Sequence, residues 1–209
     1  VDALPSDILV HEDVDGPHLD RDWEQILTEE ENARRSSMKS EDRRRLFVLG
    51  RMVLRTHLGH RLGIPPAHVP IAIHPGGRLL LGSSGDDLEI SLAHSGNRAV
   101  AVSATRPIGV DLEVMKPRQE SLIRYITHDE EQAILEQLGA TLTDRLYVVW
   151  TLKEAVLKGI GTGLRTGPRK LRIQPGDDPG HALVLDMEGR TWHARYRIDD
   201  GYAMAVAWL

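Results

Sequence analysis

Two carboxylates, Asp111 and Glu113, stand two residues apart in the run Ile108-Gly109-Val110-Asp111-Leu112-Glu113. On a strand this spacing sends both side chains to one face, with Gly109, and turns Ile108, Val110 and Leu112 to the other. Like charges ~6 Å apart repel by roughly 2–3 kcal/mol at an effective dielectric near 20, so the pair either faces water at a sheet edge or meets a compensating charge. A divalent cation such as Mg2+ suits such a pair, above all where phosphates supply further oxygens. The second concentration of chemistry is Trp150-Thr151-Leu152-Lys153-Glu154-Ala155-Val156-Leu157-Lys158. At ~100° per residue, Thr151, Glu154 and Lys158 share one side of a helix, while Leu146, Val149, Trp150, Val156 and Leu157 cover the other. Glu154 and Lys158 are then either an i,i+4 surface pair or members of a site. Lys153 falls on the apolar arc between Leu146 and Val149, where its amine must snorkel to water or meet a fixed anion. The Gly-rich segment Gly159-Ile160-Gly161-Thr162-Gly163-Leu164 follows this helix. Phosphate loops normally precede one, so helix termination is the better reading.

The strand and the helix sit in a chain whose pattern changes twice. Its first third reads as helical. Thr28-Glu29-Glu30-Glu31 forms a capping box, Ser40 caps the next helix, and Leu46, Leu49, Met52, Val53 and Leu58 recur at helical spacing up to Gly63 and Pro65-Pro66. Short β-rich runs follow over Val69–Ile73, Leu79–Leu81, Leu88–Leu92, Ala99–Ala104 and Ile108–Glu113. After Lys116-Pro117-Arg118, helix signals resume with a second capping box, Thr127-x-x-Glu130, and with Asp144 ahead of a helix ending at Gly159. Strands return over Leu171–Ile173, Ala182–Leu185, Thr191–Ile198 and Met204–Trp208. Both halves read helix then strands. The expectation is an α+β fold of two similar halves, residues 1–113 and 114–209.

Composition narrows the function classes. The chain has 209 residues, 41% of them hydrophobic and 4% aromatic, so its core rests on aliphatic side chains. Cysteine is absent, which removes disulfides, thiolate metal sites and a cysteine nucleophile, and suits a reducing, cytoplasmic setting. A net charge of −5 argues against a surface committed to nucleic acid. No apolar run approaches the ~18 residues of a membrane span, and the acidic segment Val1–Asp15 does not read as a signal peptide. His57 and His60 lie one helical turn apart with no third ligand at suitable spacing.

Together, Ile108–Glu113, Trp150-Thr151-Leu152-Lys153-Glu154-Ala155 and Lys158-Gly159-Ile160-Gly161-Thr162-Gly163-Leu164 resemble the two signature motifs of the 4′-phosphopantetheinyl transferases. The resemblance runs from about Leu27 to the C-terminus, and the length is similar to that of the monomeric, two-halved (surfactin-type) branch. It implies a pseudo-twofold arrangement of two α/β halves. It also implies transfer of the phosphopantetheine arm of coenzyme A to a serine hydroxyl of an apo acyl, peptidyl or polyketide carrier protein, with release of adenosine 3′,5′-bisphosphate. By the same resemblance Asp111, Glu113 and Glu154 would hold Mg2+. Glu154 would accept the serine proton, directly or through a metal-bound water, and Lys158 would neutralise or protonate the departing phosphate oxygen. Lys153 would contact phosphate.

His94, in Ser91-Leu92-Ala93-His94-Ser95-Gly96, matches the family's S-H-S/T-type segment and would bind the coenzyme's 3′-phosphate. Arg45 best matches an upstream D-x-x-R arginine, with Arg44 the alternative one residue away. Arg78, in Gly77-Arg78-Leu79, resembles an adenine-contact loop from which it departs at two of three positions. Glu130 matches an acidic position that a capping box explains equally well. Lys116, Arg118 and Arg124, interleaved with Leu122, Ile123 and Tyr125, read either as a docking surface for an acidic carrier or as a solvated linker helix. Two rival classes share part of the pattern: another Mg2+-dependent phosphotransfer enzyme such as a nuclease, and a catalytically silent carrier-binding domain. Lys158 and the basic set near Arg45 suit a nucleotide cofactor better than a polymer, and every acidic and lysine position of the signature is present.

Overall fold

The structure is a computed structural model and describes residues 4–16, 19–82, 88–119, 121–161 and 166–209. Strand β1 (Leu9–Val14) is followed by helices α1 (Leu19–Ile26), α2 (Glu29–Ser37) and α3 (Glu41–Leu62), then by β2 (Ile71–Ile73), β3 (Leu79–Leu81), β4 (Glu89–Ser95) and β5 (Arg98–Ala104). The second half begins with β6 (Ile108–Val114) and continues through α4 (Ser121–Ile126), α5 (Leu135–Leu138), α6 (Leu142–Ile160), β7 (Arg172–Pro175), β8 (His181–Leu185), β9 (Thr191–Asp199) and β10 (Tyr202–Trp208).

Two antiparallel sheets repeat one plan. In the first the order is β1-β5-β4; in the second it is β6-β10-β9-β8-β7. In each, an opening strand precedes a long helix and then pairs with the last strand of its half, Leu9 opposite Ser103 and Ile108 opposite Trp208. The expected division at 113 assigns β6 to the first half, yet β6 hydrogen-bonds along its length to β10 of the second sheet. Strand β1 was not expected, because Val10-His11-Glu12-Asp13-Val14 is too charged to read as a strand; it is an edge strand, exposed at Leu9 and Val14.

Each long helix covers the outer face of its own sheet. Leu49, Val53, Leu54 and Leu58 of α3 pack with Ala99 and Ala101 of β5, and Leu152, Val156 and Leu157 of α6 with Trp192, Ala194, Ala205 and Ala207. The inner faces meet through Val100, Val102, Ile108, Val110, Met204 and Val206. The alternation along β5 and β10 follows from this, since each strand is buried on both sides. Along one edge the sheets join through serines: Ser91 Oγ accepts from the Val110 amide and Ser95 Oγ from the Val114 amide, both at 3.1 Å. These bonds advance together on β4 and β6, so the two strands run parallel.

The helix boundaries follow their caps. Thr28 and Glu31 form the expected capping box, and Ser40 caps α3, which ends at Gly63 in the left-handed region, φ 67°. Helix α6 starts one box earlier than expected, with Thr141 as N-cap and Asp144 closing the box from its first turn. It ends at Gly161, φ 83°, which bears out the helix-termination reading of that glycine; Thr162, Gly163 and Leu164 lie outside the described residues. The second expected box is displaced by one residue. His128 is the cap and Glu131 its partner, while Thr127 donates its hydroxyl back to the Ile123 carbonyl and Glu130 pairs with Arg172 at the surface. Among the described residues, no helix is long and apolar enough to cross a membrane.

Candidate active site

Gly109 decides how closely α6 approaches β6. A Cβ at this position would stand 1.9 Å from the Ala155 carbonyl oxygen and 2.6 Å from the Gly159 nitrogen. With hydrogen in its place the helix lies directly on the strand, and Asp111, two residues on and on the same face, meets the last turns of α6. Lys158 Nζ donates to Asp111 Oδ1 at 2.8 Å. Asp111 is 5% and Glu154 7% exposed, which rules out both the water-facing sheet edge and the surface i,i+4 pair. Thr151, on the same side of α6, is buried and donates to the Tyr147 carbonyl at 2.9 Å, a local back-bond of the helix.

The carboxylates feel one another. Burial, then the Asp111 charge and more weakly Glu113, push Glu154 from 4.5 up to about 7, with Lys158 opposing. Glu113 is also raised, by burial and by Asp111, while hydrogen bonds from Ser95 and Trp150 pull it back. Ser95 Oγ donates to Glu113 Oε2 at 3.0 Å, so one serine both ties the two sheets and fixes the third carboxylate.

Two buried oxygens in this cluster, Asp111 Oδ2 and Glu154 Oε1, have no hydrogen-bond partner. Leaving a buried acceptor unsatisfied costs about 1–3 kcal/mol, so the pair is retained against a penalty that a ligand would remove. Their chemistry fits a hard cation. No group of three or more His, Cys, Asp or Glu among the described residues is set at metal-ligating spacing, so the expected trio Asp111, Glu113 and Glu154 is not a ready-made cage. Mg2+ ordinarily takes one or two carboxylates and completes its shell from water and substrate phosphates, which two orphaned oxygens beside an open cleft can serve.

That cleft, of about 220 Å3, is lined by Gly76, Gly77 and Arg78 of the β2–β3 turn, by Leu79 of β3, by Ile90, Ser91 and Leu92 of β4, and by Lys158 of α6 and Gly161 at its end. Both halves contribute to it. Arg78 is ion-paired with Glu89, and its side chain lies across the end of α6, close enough that a Cβ on Gly161 would reach within 3.1 Å of it. His94 packs against Gly50 of α3, where a Cβ would stand 3.0 Å from its Cδ2. Desolvation, then the Lys158 charge, holds this histidine below its ordinary value.

Three residues expected at phosphate have partners within the chain. Lys153 is fully buried and donates to Glu131 Oε2 and to the Ile126 carbonyl, each at 2.7 Å. The fixed anion that its apolar position called for is a carboxylate of the chain, on the side of α6 away from the cleft, and not a phosphate. Arg45 spans both oxygens of Asp15, at 2.7 and 3.0 Å, and Arg44 bonds Glu41 and the Met38 carbonyl; neither lines the cleft. The sequence reading quoted Ser91, Ser95 and Trp150 without giving them a role, and Glu131 escaped it. The serines carry a usable signal, because residues four apart on a strand share a face.

Lys158 thus links a buried acidic cluster to a cleft that two similar α/β halves line together. Residues 107–207, nearly all of the second half, match the 4′-phosphopantetheinyl transferase superfamily. The chain is 33% identical over 172 residues to the 4′-phosphopantetheinyl transferase HetI of Nostoc sp., covering 74% of this chain and 73% of that protein. It is 25% identical over 205 residues to the 4′-phosphopantetheinyl transferase Sfp of Bacillus subtilis, covering 91% and 89%. Among solved structures, the holo-[acyl-carrier-protein] synthase of Thermotoga maritima aligns with 48% of this chain and 61% of its own at a TM-score of 0.40 and 17% identity. The chain belongs to the 4′-phosphopantetheinyl transferase family.

Proposed function

We propose that this protein transfers the 4′-phosphopantetheine arm of coenzyme A to a serine hydroxyl of an apo carrier protein, with adenosine 3′,5′-bisphosphate as the leaving product. The observation that carries this reading is the convergence of Asp111, Glu154 and Lys158, with two buried oxygens unpartnered, beside a cleft that both halves line. Asp111 and Glu154 would hold Mg2+, with Glu113 steadied beside them by Ser95. When bound, the cation supplies charge neutralisation at the diphosphate.

The chain's own groups do the rest. Glu154, in the acidic cluster beside Lys158, would take the serine proton as general base. The serine oxygen bonds to the phosphorus of the phosphopantetheine, and the phosphorus–oxygen bond to the nucleotide breaks. Lys158, which lines the cleft and is positioned by Asp111, meets the negative charge that develops on the departing oxygen.

A second hollow of about 210 Å3, lined by Glu113, Arg118, Leu122, Leu146, Tyr147 and Trp150, adjoins the acidic cluster at Glu113. Leu122 and Tyr125 beside it are exposed, and Arg118 is held at the rim by the Tyr147 hydroxyl. A mixed apolar and basic surface leading to Glu113 suits a carrier with an acidic helix and an apolar seam. Both walls of the cleft come from one chain, which supports reading the working unit as a monomer, and the reading takes coenzyme A and a carrier protein as its partners in a cytoplasmic setting.

The test is direct. Incubation with coenzyme A, Mg2+ and an apo carrier should add one phosphopantetheine mass to the carrier, and Glu154→Gln or Asp111→Ala should abolish the gain. An unchanged carrier across fatty-acid, polyketide and peptide types rejects the reading.

A further inference from the structure

The face of the second sheet turned away from α6 carries ligating side chains of its own. Ala182 and Val184 of β8, and Trp192 and Ala194 of β9, pack with α6. The residues that alternate with them, His181, His193 and Arg195, therefore project to the opposite face. In the register Arg195 stands opposite His181, and His193 lies between Leu183 and Trp208. Across the two strands His181 Nε2 and His193 Nδ1 face each other at 3.4 Å, the rings parallel to within 5° and their centroids 5.6 Å apart. Asp111 faces α6, so the sheet itself separates this pair from the acidic cluster.

The 3.4 Å separation is long for a hydrogen bond, beyond the ~2.7–3.2 Å usual for an N–H donor. It suits two nitrogens on one tetrahedral Zn2+, where bonds of ~2.0–2.1 Å set the ligating atoms about 3.3–3.4 Å apart. His181 is held in place: a Cβ on Gly176 would collide with its Nδ1, so the ring rests on bare backbone of the β7–β8 turn. Behind it, Asp178 Oδ1 faces Nδ1 at 3.5 Å. A carboxylate there keeps the proton on Nδ1 and leaves the Nε2 lone pair toward His193, as metal-bound histidines require. Arg195 Nη1 bonds the other oxygen of Asp178 at 2.7 Å, so the arginine's charge is balanced beside the pair. His193 is exposed, with Trp208 6.1 Å away between ring centroids, and is free to turn about its Cβ–Cγ bond until both lone pairs meet.

We propose that His181 and His193 form a binding site for a divalent transition-metal ion of the Zn2+ type, with Asp178 orienting His181 and water completing the coordination. The inference stands apart from the transferase reading. No group of three or more ligating side chains occurs among the described residues, so the two histidines are the whole protein share of the site. Imidazole suits Zn2+, Ni2+ and Cu2+, whereas the orphaned oxygens of Asp111 and Glu154 suit a hard cation such as Mg2+. The two faces of one sheet thus differ in the cation they select. An ion held by His181 and His193 ties β8 to β9 beside the turn that opens β8.

The experiment is calorimetric titration of Zn2+ into the full chain in excess Mg2+, with the melting temperature read in parallel. Wild type should bind one equivalent, and Zn2+ at a hundredfold excess over its dissociation constant should raise the melting temperature by roughly 5–10 °C. His193→Ala, at an exposed position, and His181→Ala should each abolish both signals. Asp178→Asn should weaken binding by about 10–100-fold, as loss of an orienting carboxylate does. Asp111→Ala should leave Zn2+ binding as in wild type. No binding to wild type, or binding that survives His193→Ala, overturns the proposal. Loss of binding in Asp111→Ala alone also overturns it, since the ion then sits at the acidic cluster. Because the readout needs neither coenzyme A nor carrier, its failure is distinct from a failure of the transferase reading.

Discussion

Lys153 and Lys158 stand on one helix and each binds a carboxylate, at 2.7 and 2.8 Å, yet the two pairs are built to opposite ends. Around Lys153 everything is closed. Glu131 also accepts the His128 and Ile173 amides, and the ammonium is shared with the Ile126 carbonyl, so each charge has the partners it needs. Around Lys158 the account is open. The lysine is 31% exposed into the cleft, Asp111 keeps one oxygen unpartnered, and Glu154 beside it does the same. A saturated buried pair ties α4, α6 and β7 together, whereas an unsaturated one is held ready for a ligand. Buried charge alone does not separate the two cases; the unpaired atoms do.

The largest expected effects lie on the open side. Glu154→Gln and Lys158→Met should each lower the transfer rate by about 10²–10⁴, as loss of acid–base help does, and Glu154→Gln should do so without lowering the melting temperature. If either variant retained most of the rate, the contrast between the two lysines would be broken. On the closed side Lys153→Met should cost about 3–5 kcal/mol of stability in denaturant titration, because Glu131 is left buried and unpaired. Lys153→Met combined with Glu131→Leu should recover much of that loss but not all of it, since the His128 and Ile173 amides then lack their acceptor.

A further prediction sharpens the comparison through pH. Glu154 binds its proton more tightly folded than unfolded, so the metal-free protein loses stability as pH rises from 4.5 through about 7. Glu154→Gln should flatten that slope and stabilise the metal-free protein at pH 8 by ~1–3 kcal/mol, read from melting curves on either side of the window. The smallest effect is expected at His57, buried against Ser103 and held to about 4 by burial, with the charges of His11, Arg61 and His60 adding. Its depressed value makes stability fall as pH drops from 6.5 toward 4, and His57→Gln should soften this acid limb of the stability curve while leaving transfer intact.

Much of the site was legible because its signals are local. The period of β6 placed Asp111 and Glu113 on one face, the α6 wheel grouped Glu154 with Lys158, and Lys153 on the apolar arc called for either a path to water or a fixed anion. What the wheel could not say was whose anion. Glu131 is 22 residues away from Lys153 and reaches it through a turn whose cap is shifted by one residue. The arginines show the same limit. Arg44, Arg45, Arg51 and Arg55 are alike as letters on one helix. Only the partners folded against them, Glu41, Asp15 and a shared Glu31, tell them apart.

The amino-acid order by itself determined the strand and helix that carry the chemistry, the α+β class and the family, since periodicity, caps and motif spacing act over a few residues. Tertiary structure alone decided that β6 belongs to the second sheet, that Gly109 lets α6 settle onto it, and that Asp111 and Glu154 end with oxygens no protein donor satisfies. Those outcomes depend on which distant segments exclude water from one another, and that is set by packing rather than by any local preference of the chain.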